Sequence, residues 1–270
     1  MYKMTTIREW ISERESIGHP TFSLDDVQLA FPALGPQVIQ NNLRRLKLEQ
    51  RIVSVYKRFF AIVPVKYKAR GVVPATFYVA DLMQYLNRPY YLGLLSAARI
   101  WGASHQAVTI DFVTTSYPAL NATSSMNGEI KWCYRYSMPM EFLVERKDEN
   151  GRVLYSSPEL TAVELVQYEQ HCGGLCNVAT VLSELVASVD FAKLPREFFT
   201  YCKGVSIQRL GYILEEVLEE RKLAEALQDQ WRRNFLPVRA KLNPRADTSV
   251  ETRNRRWHLD INAKVEIDEI

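Results

Sequence analysis

The sequence predicts an α+β protein with an N-terminal winged helix-turn-helix domain followed by a larger domain of mixed α/β structure. Three short helix patterns precede a β-hairpin pattern in the first 70 residues. Further along, runs of strands are separated from runs of helices, which is typical of the α+β class. The 270 residues suit about two domains at roughly 150 residues per domain.

Two capping-box spacings begin the first two helices. Thr6 and Glu9 are three residues apart before an amphipathic run, and Ser23 and Asp26 repeat the spacing. In a capping box the first side chain accepts a hydrogen bond from the backbone of the later residue, whose side chain accepts one in return. The second helix is expected to end at Pro32, because proline cannot continue a helix.

A third helix and a hairpin complete this predicted domain. Gly35-Pro36 predicts a helix start with proline at the first helical position. The apolar residues of this helix recur at i, i+4 and i+7 and form one stripe, namely Ile39, Leu43 and Leu46. Ile52–Val55 and Phe59–Val63 are β-rich runs joined by Tyr56-Lys57-Arg58, which predicts a hairpin.

This order of elements is that of a winged helix-turn-helix, whose third helix enters the major groove of double-stranded DNA. Asn and Gln can bond adenine at two atoms, and Arg can do the same with guanine. The candidates for base contacts are therefore Gln37, Gln40, Asn41 and Arg44. The candidates for phosphate contacts are Arg45, Lys47, Lys57 and Arg58. A solvated helix face beside an ordinary hairpin is the alternative interpretation of the same pattern.

Residues 71–270 predict an α+β body, with the boundary near Arg70 in the connection from Pro64 to Pro74, which contains Gly71 and several basic residues. The predicted helices are Thr76–Leu86, Pro89–Ser104, Glu159–Tyr168, Asn177–Ser188, Ser206–Glu220 and Lys222–Arg233. The predicted strands are Val108–Thr115, Glu129–Tyr136, Met140–Lys147, Arg152–Ser156 and Trp257–Val265, the last of which returns to the sheet. Glu149-Asn150-Gly151 predicts the turn of an antiparallel hairpin.

The net charge of +3 is unevenly distributed. Residues 1–68 carry 11 Lys/Arg against 6 Asp/Glu, a net of +5, whereas the rest carry 23 against 25, a net of −2. Such asymmetry is typical of proteins that contact nucleic acid. No secretory pattern, membrane span or dense cysteine framework is found in the sequence, so a cytoplasmic protein is expected.

The body offers no clear catalytic or metal site. His171-Cys172-Gly-Gly-Leu-Cys176 is at the edge of zinc-motif spacing and has no second pair, and His105 has no nucleophile or acid at a recognisable spacing. We therefore expect no catalytic residue, metal or cofactor. Asp111 together with Glu145 and Lys147, which share one face of a predicted strand, leaves open a metal-dependent nuclease of the restriction-endonuclease type. A ligand-sensing transcriptional regulator is a further alternative.

Several segments of the chain resemble the AbiEi antitoxin family. They are Arg58–Pro64, Arg88–Ala98, Gly102–Gln106, Ser157–Val166, Gly173–Leu175, Val178–Leu185, Gln208–Tyr212 and Arg256-Trp257. The resemblance covers most of the chain from about Phe59 onward. Trp101 departs from the family, whose members often have histidine before the glycine.

The resemblance implies a non-enzymatic antitoxin and transcriptional repressor of a type IV toxin–antitoxin operon that defends against phage. In such proteins a winged helix binds inverted repeats in the promoter, and the C-terminal domain counteracts a nucleotidyltransferase-like toxin. The expected partners are thus promoter DNA and this toxin, with no membrane.

Overall fold

The computed structural model describes residues 6–68, 73–103, 110–120, 129–148, 151–246 and 249–267. Three sequence-based expectations lie outside the described residues: the boundary near Arg70, the surroundings of His105, and the turn residues Glu149 and Asn150. No helix in the described part of the chain is long and apolar enough to cross a membrane.

The chain begins with three helices and a hairpin, as the sequence predicts. The elements are α1 (Ile7–Ser16), β1 (Thr21–Ser23), α2 (Leu24–Ala30), α3 (Pro36–Leu48), β2 (Ile52–Tyr56) and β3 (Phe59–Ile62). Both capping boxes form, with Thr6 Oγ1 accepting from the Glu9 amide at 3.2 Å and Ser23 Oγ from the Asp26 amide at 3.1 Å. Strand β1, which the sequence analysis missed, completes a three-stranded antiparallel sheet in the order β1-β3-β2.

Each face of the hairpin packs against a different group of side chains. The first hydrophobic cluster joins the three helices to one face and comprises Ile7, Trp10, Ile11, Phe22, Val27, Ile39, Leu43, Leu46, Ile52, Phe60 and Ile62. The second cluster covers the other face and comprises Val53, Val55, Phe59, Ala61, Val63, Val73, Ala75, Tyr78 and Leu82, with Ile130 and Trp132 packed against it. The hairpin is therefore a covered structure rather than a free flap.

After β3, the described residues form further helices and two more sheets. The helices are α4 (Val65–Lys68), α5 (Val79–Tyr85), α6 (Leu94–Ile100), α7 (Pro158–Gln167), α8 (Leu175–Leu185), α9 (Gly204–Tyr212) and α10 (Arg221–Asn234). The strands are β4 (Tyr90–Leu92), β5 (Ile110–Ser116), β6 (Glu129–Arg135), β7 (Leu143–Asp148), β8 (Gly151–Ser156), β9 (Ala240–Lys241), β10 (Thr252–Asn254) and β11 (Leu259–Ile261). The five-stranded sheet has the order β6-β5-β4-β8-β7, with β5 and β6 parallel.

Two predictions about the body are wrong. The predicted helix Pro89–Ser104 begins instead with the buried strand β4 and becomes helical only after Gly93, whose extended backbone (φ −122°, ψ −168°) separates the two. The last predicted strand shortens to β11 and joins β9 and β10 in a separate sheet. His258 has φ +53° immediately before β11, so the alternating pattern from Trp257 onward is interrupted.

Smaller differences affect the element ends. Met140–Phe142 forms a 3₁₀ turn ahead of β7 rather than the first part of that strand. The helix predicted over Ser206–Glu220 is α9 followed by a π-helical segment, Ile213–Val217. Strands β7 and β8 are neighbours in the sheet, as the predicted hairpin requires.

The chain divides into two compact units. Unit 1 contains residues 1–90, 109–136 and 146–153, and unit 2 contains residues 91–108, 137–145 and 154–270. Unit 1 carries 18 Lys/Arg against 11 Asp/Glu, a net of +7, and unit 2 carries 16 against 20, a net of −4. The structural division thus separates the charges more sharply than the division of the sequence near residue 68.

Within unit 2, two of the segments that carry the family resemblance pack against each other. The Trp257 ring is completely buried beside Gly211 of α9. Its indole nitrogen donates to Glu215 Oε2 at 2.7 Å, and its backbone carbonyl accepts from Gln208 Nε2 at 2.7 Å. Glu215 also accepts from Arg256 at 2.7 Å. These side chains fix the start of the small C-terminal sheet against α9.

Candidate nucleic-acid interface

Helix α3 places one apolar face inward and one polar face outward. Gly35 precedes it in an extended conformation and Pro36 occupies its first turn, which suits proline because the first amides have no partner inside the helix. Arg45 and Lys47 lie in the last turn, where cations interact favourably with the helix dipole. The buried residues are those of the predicted stripe, Ile39, Leu43 and Leu46, so the phase of the helix is as predicted.

The outward face of α3 carries the predicted base-contacting residues. Gln37, Asn41 and Arg44 follow each other at i, i+4 and i+7 opposite the buried stripe, and all three are exposed. Gln37 Nε2 donates to Asn41 Oδ1 at 3.2 Å, which orients both amides. Gln40 is also exposed but lies on a flank of this face, with Lys47 on the same flank.

The four predicted phosphate-contacting residues are all exposed but differ in their bonding. Arg45 pairs at 3.7 Å with Glu49, the residue that follows the end of α3. Arg58 pairs with Asp25, and its carbonyl accepts from the Leu24 amide at 2.8 Å. No ion pair to Lys57 is present among the described residues. Lys57 therefore offers its charge outward, whereas Arg58 also ties the hairpin tip to the start of α2.

The backbone at the hairpin tip explains the position of these two cations. Arg58 has φ +62°, a left-handed conformation that closes the turn between β2 and β3. The register shifts between Ser54 and Tyr56, where the strands leave regular pairing. As a result, Lys57 and Arg58 stand at the end of the hairpin rather than on one of its packed faces.

The sequence analysis missed Val38 as a candidate contact. Its side chain is 47% exposed on the outward half of α3, although valine at such a position gains nothing from the core. An apolar side chain in the major groove can contact the methyl group of thymine. The sequence could have revealed this residue. Val38 is apolar and lies in the first turn of α3, but it falls outside the buried stripe of that helix.

The structure does not bring the nuclease candidates together. Asp111 lies on β5 and Glu145 and Lys147 lie on β7, and β4 and β8 stand between these strands in the sheet order. The Asp111 carboxylate accepts from the Ala75 amide at 3.1 Å, which gives it a structural role at the start of a 3₁₀ turn.

The cysteine segment likewise shows no metal-binding arrangement. Cys172 is buried, and the partly exposed Cys176 is directed at the carbonyl of Lys264 at 3.9 Å. In the part of the chain that the structure describes, no three His, Cys, Asp or Glu residues are placed to hold a metal ion.

The fold and the surface define a class: an α+β protein in which one cationic unit presents an exposed polar helix and a hairpin tip. Residues 91–216 match a family described as the AbiEi antitoxin C-terminal domain. The predicted resemblance to the AbiEi antitoxin family is thereby confirmed, and it supports an antitoxin role in a toxin–antitoxin system. The first 90 residues, including α3 and the hairpin, lie outside this match.

The fold is similar to that of a solved structure. The crystal structure of the RV2827C protein from Mycobacterium tuberculosis superposes with a TM-score of 0.66, covering 93% of this chain and 89% of that one, at 14% sequence identity. At this identity the likeness shows the fold alone. No curated protein matches the chain.

Proposed function

We propose that the protein is a non-enzymatic antitoxin that also represses its own operon. Residues 1–70 would form a winged helix that binds promoter repeats, and residues 71–270 would counteract a nucleotidyltransferase-like toxin of a type IV, phage-defence system in the cytoplasm. The observation that carries the DNA-binding part is the exposed face of α3, where Gln37, Asn41 and Arg44 form one row above a buried stripe. The antitoxin part rests on the family match.

The chemistry of this row supports base contacts in the major groove. Amide side chains bond adenine at two atoms and guanidinium bonds guanine, and each such pair discriminates between bases. Gln37 and Asn41 are already oriented by their mutual hydrogen bond. The two clusters that cover the hairpin hold it in place beside the helix within unit 1, so little ordering is required on binding.

The charge distribution supports attraction to a polyanion. Unit 1 has a net charge of +7, and cations that meet phosphates contribute affinity without sequence choice. Lys57 at the hairpin tip is suited to such a contact. Arg58 would bind a phosphate in competition with Asp25.

The DNA-binding proposal is tested by titrating the purified protein with a duplex of its own promoter and with a random duplex of equal length. Arg44→Ala should weaken promoter binding by about 1–3 kcal/mol and relax the choice at one base pair. Lys57→Ala should weaken binding to both duplexes. It should also make the logarithm of the binding constant fall less steeply with the logarithm of the salt concentration, by about 1 in the slope. Lys222→Ala, which removes an exposed cation of unit 2, is the control. Unchanged promoter affinity in Arg44→Ala would refute the assignment of α3.

The antitoxin proposal is tested separately by co-expression with the neighbouring nucleotidyltransferase gene. Growth should be restored by the protein and by Arg44→Ala, because the proposal assigns the counteraction of the toxin to residues 71–270 and not to α3. Failure of the unaltered protein to restore growth, or the absence of such a gene beside it, would favour the ligand-sensing regulator. Cleavage of DNA in the presence of Mg²⁺ would contradict the non-enzymatic assignment.

A further inference from the structure

Three tyrosine rings contact one another in series at the carboxyl ends of β5 and β6, one pair tilted and one pair stacked. The rings of Tyr134 and Tyr117 have centroids 5.5 Å apart with an interplanar angle of 36°, and those of Tyr117 and Tyr136 lie 4.4 Å apart at 24°. We call this series the tyrosine ladder. Both strands belong to unit 1.

One end of the ladder is anchored and the other is open. Tyr134 is half-buried, burial raises the pKa of its phenol, and its hydroxyl accepts from the Leu120 amide at 3.0 Å. Tyr117 is 45% exposed and Tyr136 is 90% exposed. The outermost ring is therefore held by stacking on Tyr117, while most of its surface meets water.

The backbone beneath the ladder is fixed. Strands β5 and β6 pair in parallel register up to Ser116 and Arg135, and the Tyr117 amide donates to the Arg135 carbonyl at 3.1 Å. Arg88 Nη1 donates to the carbonyls of Ser116 at 3.3 Å and Pro118 at 2.6 Å. The rings thus stand on an ordered support and need little rearrangement to accept another flat group.

The ladder adjoins the proposed DNA-binding hairpin inside unit 1. By the two-residue period of a strand, Trp132 of β6 lies on the same face as Tyr134, and it packs against the cluster that covers the hairpin. Tyr56, which precedes Lys57, packs against the same cluster as Trp132. The ladder and the hairpin therefore both belong to the unit whose net charge of +7 would attract a nucleic acid.

We propose that the tyrosine ladder is a stacking platform for an unpaired base of single-stranded nucleic acid, DNA or RNA. An exposed aromatic face accepts any base, because every base has a π-face, and cations nearby follow the phosphates. Bases inside a duplex have both faces covered, so this site is distinct from the groove contacts proposed for α3. The positive charge of the unit favours a polyanion over a neutral protein surface or a second copy of the chain.

The test is an anisotropy titration of the full chain with a labelled 12-residue deoxyadenylate, its ribo counterpart and an abasic strand of the same length. Tyr136→Leu should bind the first two at least about fivefold more weakly, since one base stack on an aromatic ring contributes about 1–3 kcal/mol. Tyr136→Phe, the matched control, should retain affinity because it retains the ring. Preference for the deoxy or ribo strand identifies the source of the base.

Other outcomes overturn the proposal. These are equal affinity of Tyr136→Leu and the unaltered protein, equal loss of abasic-strand binding in that variant, or self-association of the chain that Tyr136→Leu abolishes. Because Tyr136 is 90% exposed, its replacement should leave the melting temperature unchanged, and promoter-duplex affinity should also persist. A failure here is therefore distinguishable from a failure of the assignment of α3.

Discussion

Replacement of Gly211 by alanine should destabilise unit 2, because the Trp257 ring occupies the space that a Cβ would need. An ideal Cβ at position 211 would lie 2.1, 2.2 and 2.4 Å from three carbons of that ring. Carbon atoms make optimal contact at about 3.5 Å or more, so the ring would have to move by roughly 1.4 Å. The position is helical with ordinary dihedral angles, so the conflict concerns space and not backbone strain.

The ring has little freedom to make this movement. Trp257 is completely buried, its indole nitrogen bonds Glu215 at 2.7 Å, and its amide donates to Asn254 Oδ1 at 2.9 Å. Overpacking of a filled core costs about 1–3 kcal/mol, and these bonds place the cost at the upper end. Alanine regains about 1 kcal/mol through its better helix propensity. The net loss should be about 2 kcal/mol, which lowers the melting temperature by about 4–8 °C for a chain of this size.

Calorimetry of the full chain measures this loss, and a double-mutant cycle with Trp257→Leu assigns it. Without the indole ring, the alanine should stabilise the helix by about 1 kcal/mol, which leaves a coupling energy of about 3 kcal/mol between the two positions. Gly35→Ala is a control for the added Cβ, since a Cβ there meets open space, and its cost should be that of a weaker N-cap, about 1 kcal/mol or less. A neutral or stabilising Gly211→Ala, or the same cost with and without the Trp257 ring, would refute the reasoning.

Two further predictions concern unit 1. Ser23→Ala removes the hydroxyl that accepts from the Asp26 amide and should cost about 1 kcal/mol of unfolding free energy in urea; an unchanged midpoint would contradict the role of the cap. Burial raises the pKa of the Tyr78 phenol, and the nearby Asp111 adds to the rise. The phenol of the unfolded chain loses its proton at about pH 10, whereas the folded protein keeps its phenol neutral to higher pH. The stabilising contribution of this group is therefore complete below about pH 10 and decreases at each higher pH. In Tyr78→Phe the fall in stability above pH 10 should be shallower by up to about 1.4 kcal/mol per pH unit; an identical slope would contradict this linkage.

Local chemistry made the three helices and the hairpin of the first 62 residues predictable, although not strand β1. Capping boxes at Thr6 and Ser23 and proline at the start of α3 act within one turn, so they do not depend on the rest of the fold. The phase of α3 follows from three apolar residues, and all eight predicted contact residues are exposed. Exposure leaves their binding roles as predictions.

The parts that escaped prediction depend on partners distant in sequence. Strand β1 has three residues, which is too few for an alternating pattern. Strand β4 is a short apolar run between a proline and a glycine, and the same residues could equally begin a buried helix. Pairing with other strands of the sheet makes the run a strand. The tyrosine ladder joins residues 117, 134 and 136 through strand pairing, which no spacing along the chain indicates.

The covered hairpin has a consequence for dissecting the chain. A fragment that ended at residue 70 would retain β2 and β3 but lose Val73, Ala75, Tyr78 and Leu82, which cover their second face. The side chains of Val53 and Val55 would then lie bare on a short sheet, an arrangement prone to intermolecular pairing. A fragment that kept this second face covered would need the α5 segment and also β6, which carries Ile130 and Trp132, so it would not be a contiguous stretch of the sequence.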